Sequence, residues 1–209
     1  MAGTTETQLR EIISAMHLRH SFLGVFDNSF PGFININHKS SAIVNTGSRS
    51  SGGMHWIAFA YEPTSRTCYM FDPFGWQDSK LLSLYKFKYD NLIKKSALNS
   101  PTRCIKFVKS VESVQCPCSA ACGLYACLFI ASFDKYPFKP MNNNPIIDTV
   151  KGVKHSYMYS NEGISILHQN QLNMYRWFIV NNSYFRANKE ILEDETALNT
   201  IPENHVIKL

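Results

Sequence analysis

The sequence predicts an α+β fold, and two observations carry that prediction. His55–Tyr61 ("HWIAFAY") and Cys68–Asp72 ("CYMFD") are strand-like runs separated by "EPTSRT", a polar turn with a proline, which is a β-hairpin signal. Elsewhere, at Asp78–Lys95 and after Pro117, the apolar residues follow a helical rather than a strand period. A chain of 209 residues with 44% hydrophobic content buries a real core and is read as one domain, 1–209.

In chain order, Thr5–Met16 reads as an amphipathic helix with Leu9, Ile12, Ile13 and Met16 on one face. "FLGVFDNSFPGF" is aromatic and turn-rich, looped or strand-like. Ala42–Val44 gives a short buried strand that stops at Asn-Thr-Gly. In the hairpin, pairing Tyr61 with Cys68 sets Ile57 opposite Asp72. His55 then shares the face of Ile57, because strand side chains alternate. "DPFG" turns the chain. Asp78 is expected to cap a helix reaching about Lys95, with Leu81, Leu82, Tyr85, Tyr89, Leu92 and Ile93 as its stripe. "CIKFV" reads as a strand, "SAACGLYACLFIASF" as a buried helix capped near Ser119, and Ile166–Val180 as a later helix. The last twenty residues are weakly patterned.

The N-terminus carries no apolar run suited to a signal peptide or a membrane span, so a soluble, non-secreted protein is expected. Six cysteines in such a chain argue against a disulfide framework. The net charge of +5 is uneven. Lys80, Lys86, Lys88, Lys94, Lys95, Arg103, Lys106 and Lys109 stand against Asp90 alone, a pattern suited to a polyanion and equally to a solvated helix face.

Four cysteines crowd "SVQCPCSAACGLYACLF": Cys116, Cys118, Cys122 and Cys127. Three of them could be zinc ligands, but no second C-x2-C or H-x3-H pair supplies the usual remainder. Cys127 reads as core. Cys116 and Cys118 precede the helix without an assigned role, read as bystanders or as redox-sensitive loop thiols. Cys122 differs: it falls in the helix's first turn, in "SAACG", among small residues that leave room for a substrate, and the helix N-terminus favours the reactive thiolate. His55 and Asp72 supply a base and its orienter, and Gln115 an amide for an oxyanion. On the residues alone, a Cys-His-Asp hydrolase stands beside a structural histidine among core cysteines.

The ordered blocks "FLGVFDNSFPGF", "AIVNTGSRSSGGMHW", "CYMFDPFG", "TRCI", "SVQCPCSAACGL", "MNNNP" and "SYFR", spanning Phe22 to Arg186, resemble the adenovirus endopeptidase family. These are cysteine proteases of papain-like architecture with permuted motif order. The resemblance implies a central mixed sheet packed with helices. By position it puts the nucleophile at Cys122, the histidine at His55, the acid at Asp72 and the oxyanion-hole glutamine at Gln115. It also implies cleavage of virion precursor proteins, with Met, Ile or Leu at the fourth position before the cut and Gly at the second.

Two activators are implied: a peptide from the capsid protein VI precursor, disulfide-linked through Cys104, and viral DNA bound without sequence specificity. No metal and no membrane are implied, and a monomer acting in the host nucleus and the virion is expected. Asp72 departs from the glutamate of many relatives; its shorter side chain reaches less far, which leaves room for a bridging water or a slightly shifted hairpin register. The rivals are a related peptidase acting on ubiquitin-like modifiers and a zinc-stabilised nucleic-acid-binding module.

Overall fold

The computed structural model describes residues 3–18, 20–102 and 104–197. Arg103, one of the basic run, and residues 198–209 of the tail lie outside the described residues.

Thr5 starts the first helix, α1 (Glu6–Ala15), with a capping box: its hydroxyl accepts from the Gln8 backbone, and the Gln8 side chain returns to the Thr5 amide. Leu9, Ile12 and Ile13 are its buried face; Met16 is the C-cap rather than part of the helix. The aromatic block opens as β1 (Phe22–Phe26) and then loops. β2 (Ser40–Asn45) is longer at both ends than the Ala42–Val44 expectation, and is buried throughout. β3 (Trp56–Glu62) and β4 (Thr67–Phe71) form the expected hairpin, with Tyr61 opposite Cys68.

Two expectations for the basic region need correction. Gln77 is the N-cap, so Asp78 is the first helical residue, and the single helix is two: α2 (Asp78–Tyr85) and α3 (Tyr89–Lys95). The break falls at Lys86, which takes a left-handed conformation (φ 53°) and ends α2. β5 (Lys106–Lys109) starts two residues beyond Cys104, which is therefore outside the strand.

The sheet order is β1-β2-β3-β4-β5, antiparallel in the middle and parallel at both edges. It is a mixed sheet, and with seven α-helices among the described residues the fold is α+β. Both faces are covered. Ile43, Ala58, Ala60, Tyr69 and Phe71 face one core, with α1, α4 (Cys122–Lys135), α5 (Asn161–Asn181) and α6 (Ser183–Ala187); Val44, Ile57, Phe59, Tyr61, Cys68 and Met70 face the other, with Phe33, Leu81 and Leu92. Strands buried on both sides read as near-continuous apolar runs.

The small Ala58 and Ala60 let α4 lie directly across β3. α4 is buried from Gly123 to Phe133, as its all-round apolar composition requires. Phe129 stacks on Phe71 with centroids 5.0 Å apart. Its first residue is Cys122 and its N-cap is Ala121, not Ser119, whose hydroxyl bonds back to Cys116 O. α5 extends the Ile166–Val180 expectation at its N-terminal end, where Ser160 caps it. The tail, read as weakly patterned, forms α7 (Lys189–Glu195). No helix among the described residues is long and apolar enough to cross a membrane.

Candidate active site

The hairpin decides the site. Its ladder continues from Tyr61–Cys68 to Ala58–Phe71, so His55 just before β3 and Asp72 just after β4 meet at one end of the sheet. His55 Nε2 lies 2.7 Å from Asp72 Oδ1, and both side chains are buried. The contact is direct and the register is the expected one. The shorter aspartate thus needs neither a bridging water nor a shifted strand.

Asp72 is held by the turn that follows it. Oδ1 accepts from Phe74 N at 2.9 Å and Oδ2 from Trp76 N at 3.0 Å, while Gly75 N donates to its carbonyl. Gly75 has φ +59°, and a Cβ there would come 2.6 Å from Glu112 N. Only glycine fits that turn.

Cys122 lines the same cleft as His55 and interacts with its imidazole. Nε2 is committed to Asp72, so Nδ1 is the ring nitrogen left for the thiol. Burial alone would push the His55 pKa down. The charge and hydrogen bond of Asp72, then the Cys122 interaction, overcome it and raise the pKa to about 10. The imidazole is therefore charged at neutral pH, with Nε2–H donating to Asp72. Phe74 and Tyr85 stack on it, each with its centroid 5.1 Å away, an arrangement that favours a cation.

Cys122 stands at the N-terminus of α4, where the alanine N-cap offers no side chain to the first-turn amides. The small residues around it serve packing more than substrate: a Cβ at Gly123 would collide with Thr4 Oγ1 and lie 2.8 Å from Leu9 Cδ2. Gln115 is buried, with its backbone N–H on Pro73 O and its Nε2 donating to Ser119 O at 2.9 Å. Gln115 Oε1 has no partner among the described residues. His55, Gln115 and Cys122 line a cleft of about 740 Å³ whose far wall includes Thr4, Glu6, Asp27, Arg49 and Met54. Tyr85 lines it too. The sequence showed it only as part of a helix stripe.

The remaining cysteines separate cleanly. Cys68 and Cys127 are buried, and burial pushes both thiols up, Cys68 to about 12. Cys104 is exposed and free. Cys116 and Cys118 are joined by a disulfide, contrary to the compartment argument. A tight turn at Pro117 brings the two thiols together locally. His168, on α5, lies with Nε2 3.4 Å from Cys118 Sγ, and ligand atoms of Cys116, Cys118 and His168 fall within 4.8 Å of one another. Cys122 is not part of that group. His168 was invisible in the sequence, since no local spacing links it to a cysteine 50 residues earlier.

Residues 22–200 match the model of a family described as adenovirus endoprotease. The chain is 63% identical over 205 residues to a protein named protease from Avian adenovirus 8, covering 98% of this chain and all of the relative. It is 50% identical over 196 residues to a protease of Frog adenovirus 1, covering 94% of this chain and 96% of that one. To a protease of Human adenovirus D serotype 9 it is 40% identical over 207 residues, 99% of each.

Proposed function

The chain belongs to the adenovirus endoprotease family and is a viral cysteine endopeptidase, and from that premise we propose that Cys122 is its nucleophile, His55 its acid and base, Asp72 the orienter and Gln115 an oxyanion donor. One observation carries the assignment: a buried imidazole bonded to Asp72 through Nε2 at 2.7 Å, lining one open cleft with Cys122 and Gln115.

The thiolate of Cys122 attacks the scissile carbonyl carbon. The oxyanion that forms is held by Gln115 Nε2, whose second proton is not used by Ser119, and by the main-chain N–H of Cys122. The His55 imidazolium gives its Nδ1 proton to the leaving amine. Water then attacks the thioester with the now neutral His55 as base, and the Cys122 thiolate leaves beside the re-formed imidazolium. Asp72 holds the ring in place and favours its charged form throughout. Residues 1–209 act as a single peptidase domain, monomeric, in the host nucleus and the virion.

The substrates are virion precursor proteins, cut at sites with Met, Ile or Leu at the fourth position before the cut and Gly at the second. Activation by a disulfide-linked peptide from the capsid protein VI precursor is supported by the exposed Cys104 thiol beside edge strand β5. DNA as a second activator, bound without sequence specificity, is supported by the basic residues carried on α2, α3 and β5. Lys109 pairs with Asp78 and Lys94 with Asp90, which leaves Lys86, Lys88, Lys95 and Lys106, and Lys80 over the Trp76 ring, with no acidic partner among the described residues.

The test compares a Leu-x-Gly-Gly-x peptide with a ubiquitin-like fusion, in wild type and Cys122→Ala, with and without peptide and DNA. Peptide cleavage that needs Cys122 and rises with both activators is expected. Preference for the fusion would assign the chain to modifier processing instead, and equal turnover without activators would remove them from the account.

A further inference from the structure

The loop between the oxyanion glutamine and the nucleophile carries chemistry that the proteolytic mechanism does not use. Gln115 is followed at once by the Cys116–Cys118 disulfide, and Cys122 begins α4 four residues later. Cys116 is fully buried, whereas Cys118 and His168 are half-buried and reachable.

A chain of bonds joins the disulfide to the Gln115 amide. Cys116 O accepts from Ser119 N at 3.1 Å and from Ser119 Oγ at 3.3 Å, and Cys118 N donates to Cys116 Sγ at 3.3 Å. Ser119 O in turn accepts from Gln115 Nε2 at 2.9 Å. The backbone of Gln115 is fixed independently, by its N–H on Pro73 O and by Ser113 Oγ donating to its carbonyl at 2.8 Å. Its side chain, by contrast, depends on where Ser119 sits, and the Cys116–Cys118 link closes the turn that puts it there.

We propose that Cys116 and Cys118, with His168 beside them, are a reversible thiol–disulfide site that positions Gln115 and so sets the rate of the protease. This rests on the oxyanion role assigned to Gln115 above. The reagent is a low-molecular-weight thiol. Its thiolate attacks the accessible Cys118 Sγ, the Cys116–Cys118 bond breaks, and the electron pair leaves on Cys116 Sγ, which takes a proton. A second thiolate attacks the external sulfur of the mixed disulfide and releases Cys118 as thiolate, which takes the second proton. Two thiols become one small disulfide, and the protein gains two thiols. In the reverse direction His168 accepts the Cys118 proton; burial pushes its pKa down, so it is neutral and ready to do so. Cys116 and Cys118 are positioning residues, acting through Ser119 on Gln115.

The experiment poises the full chain in glutathione buffers of graded potential, with DNA saturating in every arm and the activating peptide left out, because its disulfide to Cys104 would respond to the same buffers. Differential alkylation with mass mapping reads the two cysteines, and kcat and KM are measured on the same samples. Removing one oxyanion donor costs about 100- to 1000-fold in kcat. Loosening one predicts a smaller loss, about ten-fold in kcat on reduction with KM nearly unchanged.

The loss should follow the mapped midpoint and vanish in Cys116→Ser/Cys118→Ser, which keeps Cys104 and Cys122. His168→Gln should slow re-oxidation without moving the midpoint. The proposal is overturned if the pair stays reduced across the whole range, or if the double variant responds as wild type does. Zinc held stoichiometrically by the reduced protein and lost in the double variant would also overturn it, in favour of a metal site. An unchanged kcat in Gln115→Ala would instead sink the oxyanion reading, while the mapped midpoint would still report the couple.

Discussion

His55 Nε2 sits 2.7 Å from Asp72 Oδ1, and that contact determines which ring nitrogen is left for Cys122. A hairpin register and a backbone-held carboxylate thereby set the chemistry of a residue 50 positions further along the chain.

Asp72→Asn removes the charge that does most to keep His55 protonated against its burial. The His55 pKa, read by NMR from its ring resonances, should fall, and the imidazole should be neutral at pH 7. Loss of the correct tautomer and charge is expected to lower kcat by on the order of 100- to 10,000-fold. An unmoved His55 titration would show that Cys122, not Asp72, holds the proton.

Stability should depend on pH through the same group. His55 has a folded pKa of about 10 against an ordinary value of 6.5. Its contribution is therefore complete below about pH 6.5, declines as pH rises through the window, and is gone above about pH 10. The melting temperature of wild type should fall across that interval, and that of His55→Gln should fall less. Parallel curves would contradict the raised pKa.

Gln115→Ala deletes the side-chain oxyanion donor. A barrier increase of about 3–4 kcal/mol is expected, appearing in kcat with KM little changed. A change confined to KM would make Gln115 a ground-state contact.

Gly75→Ala forces a Cβ against the Glu112 backbone at a left-handed position, in the turn that holds Asp72. The strain is on the order of 1–3 kcal/mol, and both melting temperature and kcat should drop. Gly52→Ala is the control: it also has positive φ (+78°) but meets nothing within 4 Å, so it should cost about 1 kcal/mol and leave kcat alone. Equal losses in the two variants would show that the turn does not hold the carboxylate.

DNA affinity should fall steeply with salt. Each phosphate neutralised contributes about 0.9 to the slope of log K against log salt for duplex DNA. Replacing Lys86, Lys88, Lys95 and Lys106 together by Gln should flatten that slope by the number that touch phosphate. An unchanged slope would move the DNA surface elsewhere.

Much of this was legible in the sequence because it is local. The "EPTSRT" turn fixes Tyr61 opposite Cys68, and from that pair the approach of His55 to Asp72 follows by counting along two strands. Cys122 in a first turn was legible for the same reason. What stayed hidden depends on distant packing or on backbone detail. Tyr85 follows a helix stripe, and nothing local says that it lies on the His55 ring. Gly123 looked like room for substrate, but it clears Thr4 from the other end of the chain. The break after Tyr85 needs a left-handed Lys86, a conformation that lysine composition does not announce. The Cys116–Cys118 bond went against an argument from compartment averages, which is blind to a proline turn that presses two thiols together.

The most direct test of the central claim, that His55 activates Cys122, is brief alkylation with iodoacetamide at pH 6 followed by mass mapping. Cys68 and Cys127 are buried and Cys116 and Cys118 are paired, so the contest is between Cys122 and the exposed Cys104. The account predicts that Cys122 is labelled far faster, and that His55→Ala removes the preference. Labelling of Cys104 at the same rate, or a Cys122 preference that survives His55→Ala, would contradict it.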